Sequence, residues 1–369
     1  MKQFLHISPN VPPAICGVGD YAATVGSRME QLQPGLECRY LAAGYRSAGE
    51  SLREPSPEWF WERVKWEIDS SPISSAGIVL HYSGYGYSPD GAPDWIADAF
   101  DNRPAFAMEI SIVTFFHELY ATGWPWKRAY WYSRRQRDVA KRIAQASDAL
   151  FTNRRESADW LEKATGSEPG SVLDLPVPSN VGEPDDVPGY FDRPPQAVLF
   201  GGKKIKQPFL AGRGAVTTAT ICRKLGIRKV LDIGSPIELS RKPFDDEAIE
   251  VIQMGFLDAE EVSKCLLQSK IGFFDYNPKF ITKSGVLAAL ASHGVAIVSP
   301  QRTFNAIEEL ASCSDALSLE SLAHSAQTKE LEVELANHAA TGRRYSARSS
   351  ARQHALSLLK ACFSHETSV

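Results

Sequence analysis

The sequence predicts an α/β protein made of two doubly wound, parallel-sheet domains. Short apolar runs alternate with longer helical patterns along nearly the whole chain, the rhythm of βαβ units. The rhythm breaks once, around 176 to 196, at PVPSNVGEPDDVPGYFDRPP, a stretch rich in Pro, Gly and acid that reads as a linker. The chain's 369 residues exceed one ordinary core and suit two domains.

In order, the first half reads QFLHIS, a helix at 18 to 32, CRYLAA, a helix at 57 to 68, GIVLHYS, a helix at 92 to 100, ISIVTFFHE, a helix at 127 to 146, ALFTN and a helix at 155 to 164. After the linker the alternation restarts with AVLFGG, a helix at 214 to 225, KVLDIG, IEVIQMG, a helix at 258 to 268, KIGFFDY, a helix at 284 to 293 and VAIVSP. The segment from 327 to 361 reads as mostly helical. The expected domains are 1–185, 186–345 and a C-terminal element, 346–369.

Composition narrows the function. A hydrophobic content of 43%, a charged content of 23% and a net charge of -4 describe an ordinary globular chain and argue against a general nucleic-acid binder. Cys16, Cys38, Cys222, Cys265, Cys313 and Cys362 are scattered, without C-x-x-C or zinc spacing, so no metal site is expected and the thiols read as reduced, in a cytoplasmic protein. No apolar run reaches the roughly 18 residues of a membrane span. The expected protein is soluble, with contact at a membrane face left open.

Five segments carry candidate chemistry. Gly17-Val18-Gly19-Asp20-Tyr21-Ala22 fits G-x-G-x-x-A, and Glu37 follows at the spacing of a dinucleotide fingerprint. Yet PNVPPAIC separates the glycines from the preceding strand, and Glu37 precedes the second strand instead of closing it, which disfavours a nicotinamide site. The segment serves equally as a glycine loop approaching a phosphate ahead of a helix starting near Asp20, or as a plain loop with Asp20 as N-cap. His117, with Glu118 beside it, ends a strong β run, where doubly wound folds place ligand-binding groups.

Residues 124 to 145, WPWKRAYWYSRRQRDVAKRIAQ, mix Trp124, Trp126, Tyr130, Trp131 and Tyr132 with seven basic residues and one acid. That mixture suits sugar stacking, an anionic lipid surface, or an aromatic stripe packed into a core. Tyr82, Tyr85 and Tyr87 pose the same alternatives. Gly201-Gly202-Lys203-Lys204-Ile205-Lys206 sets flexible backbone and cations after a strand, a natural diphosphate site or a solvated lysine surface. Thr282-Lys283-Ser284-Gly285 opens a helix and combines free N–H groups, a bare glycine and a lysine, as an anion site requires.

The order of these pieces resembles the retaining GT-B glycosyltransferases of family 4. The matching stretches are GVGDY, FHE, SDALFTNRRESADWL and GFLDAEEVSKCLLQSKIGFFDY leading into KSGVLAALASHGVAIV, together spanning about 14 to 300. The resemblance implies two Rossmann-like domains facing a central cleft, with an acceptor on the first and a nucleoside-diphosphate sugar, a UDP-hexose by default, on the second. It places the base near Gly255, Phe256 and Leu257 and the diphosphate on Lys283, Ser284, Gly285 and Val286, with Gly17 and Gly19 closing over the phosphates. His117 would face the donor sugar, Lys203 or Lys204 and Lys283 would stabilise charge, and the last helix would brace the first domain. No cofactor or metal is implied beyond the donor.

The implied reaction is metal-independent, retaining transfer of a hexose to a polysaccharide or lipid-linked saccharide. The family's two glutamates, eight residues apart, fall at Phe280 and Ala288, neither of which accepts a hydrogen bond through its side chain. The family's Arg and Lys after the first C-terminal strand are only loosely matched by Lys203, Lys204, Lys206 and Arg213. Those departures motivate the alternative of a non-catalytic nucleotide-sugar-binding relative.

Overall fold

A computed structural model describes residues 2–14, 16–45, 55–69, 75–122, 126, 128–304, 307, 310, 318–324 and 329–363. The chain divides into two compact units, Met1–Pro176 with Ala351–Val369, and Val177–Ser350. Among the described residues no helix is long and apolar enough to cross a membrane.

The first unit holds β1 (Lys2–Ser8), β2 (Leu36–Ala42), β3 (Ser75–Ser83), β4 (Ser111–Glu118), β5 (Ala149–Thr152) and the two-residue β6 (Leu173–Asp174). All pairs are parallel, in the order β2-β1-β3-β4-β5-β6. The second holds β7 (Gln196–Gly201), β8 (Lys229–Gly234), β9 (Glu250–Gly255), β10 (Ile271–Phe273) and β11 (Ala296–Val298), also parallel, in the order β11-β10-β7-β8-β9. Strand order therefore reverses between β1 and β3 in one sheet and between β7 and β10 in the other. Crevices outside the carboxyl ends at such points are where this architecture binds ligands.

The strands are nearly continuously buried because helices cover both faces of a parallel sheet. Alternation sends Leu5 and Ile7 into a core shared with Phe60, Ile96 and Val139, while Phe4 enters another with Tyr21, Val25, Val113 and Phe115. That second core is closed by the helices Gly17–Leu32 and Ala351–Phe363, the latter through Ala355, Leu358, Leu359 and Cys362. The second unit repeats the arrangement with two cores, one on each sheet face.

Three local features differ from the sequence reading. The first helix starts at Gly17, and Cys16 occupies its N-cap without a side-chain bond, so Asp20 is no cap: its N–H already donates to Cys16 O at 2.8 Å. Close approach to the preceding loop requires Gly19, since a Cβ there would lie 2.2 Å from Asn10 O. Lys203–Leu210 is helical rather than a loop, although it contains Pro208. The terminal helical segment is two helices, Lys329–Arg348 and Ala351–Phe363.

Candidate functional site

In the second unit, two of the predicted motifs converge at the reversal between β7 and β10. β7 ends on Gly201, whose φ of +126° strongly favours glycine, and a Cβ there would come within 3.2 Å of Val286 Cγ2. A Cβ on the paired Gly234 would sit 2.4 Å from Gly201 O. The Gly201–Gly202 turn is thereby pressed against the start of the helix Gly285–Ser292. Gly202 is the N-cap of Lys203–Leu210, with Lys203 and Lys204 exposed on its first turn.

Ser284 caps Gly285–Ser292: its Oγ accepts from Leu287 N–H at 3.2 Å. The hydroxyl proton still has a donor role to play toward an anion. Lys283 immediately precedes it, half-buried at the end of the 3-10 turn Pro278–Lys283. Gly285 is bare because a Cβ would press on Asn180, 3.1 Å away at its nearest atom. Asn180 comes from the stretch read as linker and was not singled out by the sequence; its place beside a helix N-terminus is visible only in the fold.

The loose Arg and Lys match is corrected by burial. Lys206 is enclosed, its Nζ 2.5 Å from Asp232 Oδ1, and Gln253 Nε2 donates to the other carboxylate oxygen at 3.3 Å. A lysine held this way is a core ion pair, out of reach of a diphosphate. Arg213 lies exposed on the next helix, Gly212–Lys224.

At the end of β9, Gly255 turns with φ +69° and Asp258 begins the next helix with a capping box to Glu261. Phe256 stands between them 78% exposed, an aromatic face presented at a strand's carboxyl end, while Leu257 packs against the core. Phe280 is half-buried and Ala288 is buried, so neither supplies an acceptor. Asp275, following β10, is engaged by Arg302 at 2.7 Å.

In the first unit, His117 is buried at the end of β4 and Glu118 is exposed beside it. Two histidines that the sequence reading passed over join it. His6 Nδ1 lies 3.0 Å from His81 Nε2, and His81 Nδ1 lies 3.3 Å from His117 Nε2. The hint in the sequence was that QFLHIS, GIVLHYS and FHE each carry a histidine near a strand end.

Tyr21, from the helix that Gly17 and Gly19 open, sets its ring edge against His117 at 4.8 Å. Its hydroxyl reaches His354 Nδ1 at 2.6 Å, and His354 Nε2 donates to Pro176 O at 2.9 Å. The sequence reading named Tyr21 only as part of the glycine motif and passed over His354. Burial keeps His6 neutral, lowering its pKa to about 3, and pushes His81 well below the ordinary histidine value.

The tyrosines separate cleanly. Tyr82 and Tyr87 belong to the core, and Tyr87 donates to His81 O at 2.9 Å; Tyr85 is exposed and accepts from Gln136 Nε2 at 3.1 Å. In the aromatic stripe, Trp126, Tyr130 and Trp131 are exposed and do not pack into the core. Helix Arg128–Gln145 buries Gln136, Val139, Ala140 and Ile143 and leaves Trp131 exposed, as is Trp126 before it. Trp131 lines a groove with Arg134, Arg137, Lys141 and Trp160. Trp124 and Cys313 lie outside the described residues. Among the described residues no group of three or more His, Cys, Asp or Glu is arranged to hold a metal ion.

No family model and no curated protein sequence matches this chain. Solved structures do. A putative UDP-N-acetylglucosamine 2-epimerase from Listeria monocytogenes is similar at 12% identity and TM-score 0.53, over 100% of this chain and 97% of that one. An α,α-trehalose 6-phosphate synthase from Burkholderia multivorans is similar at 12% and 0.52, over 99% and 97%. A trehalose-6-phosphate structure from E. coli bound with UDP-2-fluoro glucose is similar at 10% and 0.53, over 97% and 98%. Identities this low establish the fold, and the fold is GT-B: two Rossmann-like domains with parallel sheets of six and five strands.

Proposed function

We propose that the chain is a glycosyltransferase that moves a hexose from a nucleoside-diphosphate sugar, UDP-glucose or a close analogue, to a saccharide or lipid-linked saccharide. The observation that carries this reading is the approach of Gly201, which leads into Gly202, Lys203 and Lys204, to Val286 on the helix that Lys283, Ser284 and Gly285 open, at the reversal point of the second sheet. Two helix N-termini and three lysines supply N–H groups and positive charge where a diphosphate leaves.

As the glycosidic bond breaks, the leaving β-phosphate gains negative charge, which these groups stabilise. The same phosphate oxygen accepts the proton of the attacking acceptor hydroxyl, giving retention without a carboxylate base. The lysines make a divalent metal unnecessary in this scheme. Phe256 stacks the base, and Gly255 and Leu257 flank it through backbone. In the first unit, the helix N-terminus at Gly17 and Gly19 is the candidate for a phosphate contact and His117 the candidate for orienting a sugar. Lipid-linked acceptors suit the exposed Trp126 and Trp131 with Arg134, Arg137 and Lys141. Reversing those three charges to Glu is expected to abolish sedimentation with anionic vesicles; unaltered sedimentation rejects membrane docking.

Phe280 and Ala288 favour one rival, a nucleotide-sugar binder without turnover, and the epimerase-like neighbour supplies another. The purified chain is incubated with UDP-glucose and a panel of saccharides, following free UDP and product mass. UDP release matched by hexose gain on an acceptor supports transfer. Binding without UDP release supports the non-catalytic reading, and an altered sugar without transfer supports epimerisation.

A further inference from the structure

We propose that the groove between the helices Arg128–Gln145 and Arg155–Thr165 of the first unit is a binding site for an oligosaccharide whose sugars carry carboxylates. Its volume is about 580 Å³, and Trp131, Arg134, Arg137, Asp138 and Lys141 line it from the first helix and Trp160 from the second. That volume is within the range of small-ligand clefts.

Trp131, Arg134, Asp138 and Lys141 follow one another at steps of three and four residues, so they form one stripe along the helix, opposite the buried Gln136, Val139, Ala140 and Ile143. Trp131 is 74% exposed and meets Tyr130 at 5.9 Å, which leaves much of its ring open. Across the groove, Trp160 is held by Tyr120 at 5.2 Å, and the Arg137 guanidinium carbon stands over the Tyr120 ring at 4.4 Å. Two indoles on the two sides of a groove supply flat apolar faces for the C–H faces of pyranose rings.

The charges select the kind of sugar. Arg135 also lines the groove, but it is engaged by Asp90 at 2.8 Å and by Asp94. Among the described residues Arg134, Arg137 and Lys141 have no carboxylate within ion-pair range. A guanidinium fork matches a carboxylate with two parallel N–H bonds, and an arginine stacked on a ring by its face keeps its N–H edge for that contact.

Asp138 favours a saccharide over an anionic lipid surface. A carboxylate set among the cations opposes a layer of anionic headgroups, whereas it accepts hydrogen bonds from sugar hydroxyls. A recess between two helices also suits a row of rings better than a planar membrane. That the bound saccharide is the acceptor rests on the glycosyltransferase reading; the binding itself does not.

The test is a calorimetric titration of the full chain, at low salt and without nucleotide, with tetragalacturonate and tetramannuronate, each beside its methyl ester. The ester keeps the rings and removes the charge. One of the acids is expected to bind about tenfold or more tighter than its ester, the size of one charge-assisted contact. Arg134→Gln combined with Lys141→Gln is expected to erase that preference, and Trp131→Ala to weaken acid and ester alike. Trp66→Ala removes an indole 58% exposed on the helix Pro57–Asp69 and is expected to change neither. All these side chains are exposed, so melting temperatures near wild type are expected throughout.

Equal affinity for acid and ester, no binding of either acid, or a preference that survives the double variant overturns the proposal. Sedimentation with anionic vesicles without any uronate binding overturns it in favour of a lipid surface. Uronate binding by a chain that transfers no hexose rejects the transferase reading and leaves the groove, and hexose transfer without uronate binding rejects the groove alone.

Discussion

The Lys283→Ala variant is expected to lose about two to three orders of magnitude in kcat, the size seen when one preorganised group is removed from a developing negative charge. The residue sits directly before Ser284, the N-cap of the helix Gly285–Ser292, whose Val286 faces Gly201. The surrounding backbone carries bonds of its own. Ser284 N–H donates to Ile281 O at 3.0 Å, Val177 N–H donates to Thr282 O at 2.9 Å, and the Ser284 cap remains. The melting temperature is therefore expected to stay near wild type while turnover collapses. A fall in kcat with little change in KM marks charge stabilisation in the transition state, and a rise in KM alone marks uniform binding of the diphosphate. An unchanged rate removes Lys283 from the mechanism.

The second large effect is on stability in mild acid. Burial lowers His6 to about 3 and His293, His338 and His354 to about 4, and holds His81 well below its ordinary value. In the unfolded chain each titrates near 6.5. Above that pH both states bind the same number of protons at these rings, and stability is full.

As pH falls from about 6.5 toward 4, the unfolded chain takes up protons that the folded chain excludes. Each such ring then weakens the fold by up to about 1.4 kcal/mol per pH unit. Several rings acting together rival the 5–15 kcal/mol that holds a typical domain. Denaturant melts at pH 7.5, 6 and 5 are expected to show a steep loss over the last interval. A flat profile would mean that the rings are hydrated or charged in the folded protein.

The fold was readable because buried parallel strands and amphipathic helices differ in period, and ten apolar runs named from the sequence became β1–β5 and β7–β11. β6 escaped because two residues carry no periodicity. The helix Lys203–Leu210 escaped because two preceding glycines and Pro208 are local breakers, and what fixes it is tertiary: Lys206 buried on Asp232, with Phe209 and Leu210 in the core.

The candidate site was legible where one segment contains its own device, as in Lys283-Ser284-Gly285. It was illegible where the device is assembled across strands. His6, His81 and His117 are separated by 75 and 36 residues, and only parallel register brings their rings together. Asn180 and Arg302 are positioned in the same way, by neighbours far along the chain.

The proposed ligand of the second unit is a nucleotide sugar. A thermal-shift screen of the purified chain against nucleoside diphosphates, their sugars and nicotinamide dinucleotides tests it most directly, because a ligand selective for the native state raises the melting temperature. A rise with one nucleoside diphosphate and its sugar, smaller in Lys283→Ala, is expected. No rise with any nucleotide, or a rise with a nicotinamide dinucleotide alone, would contradict it.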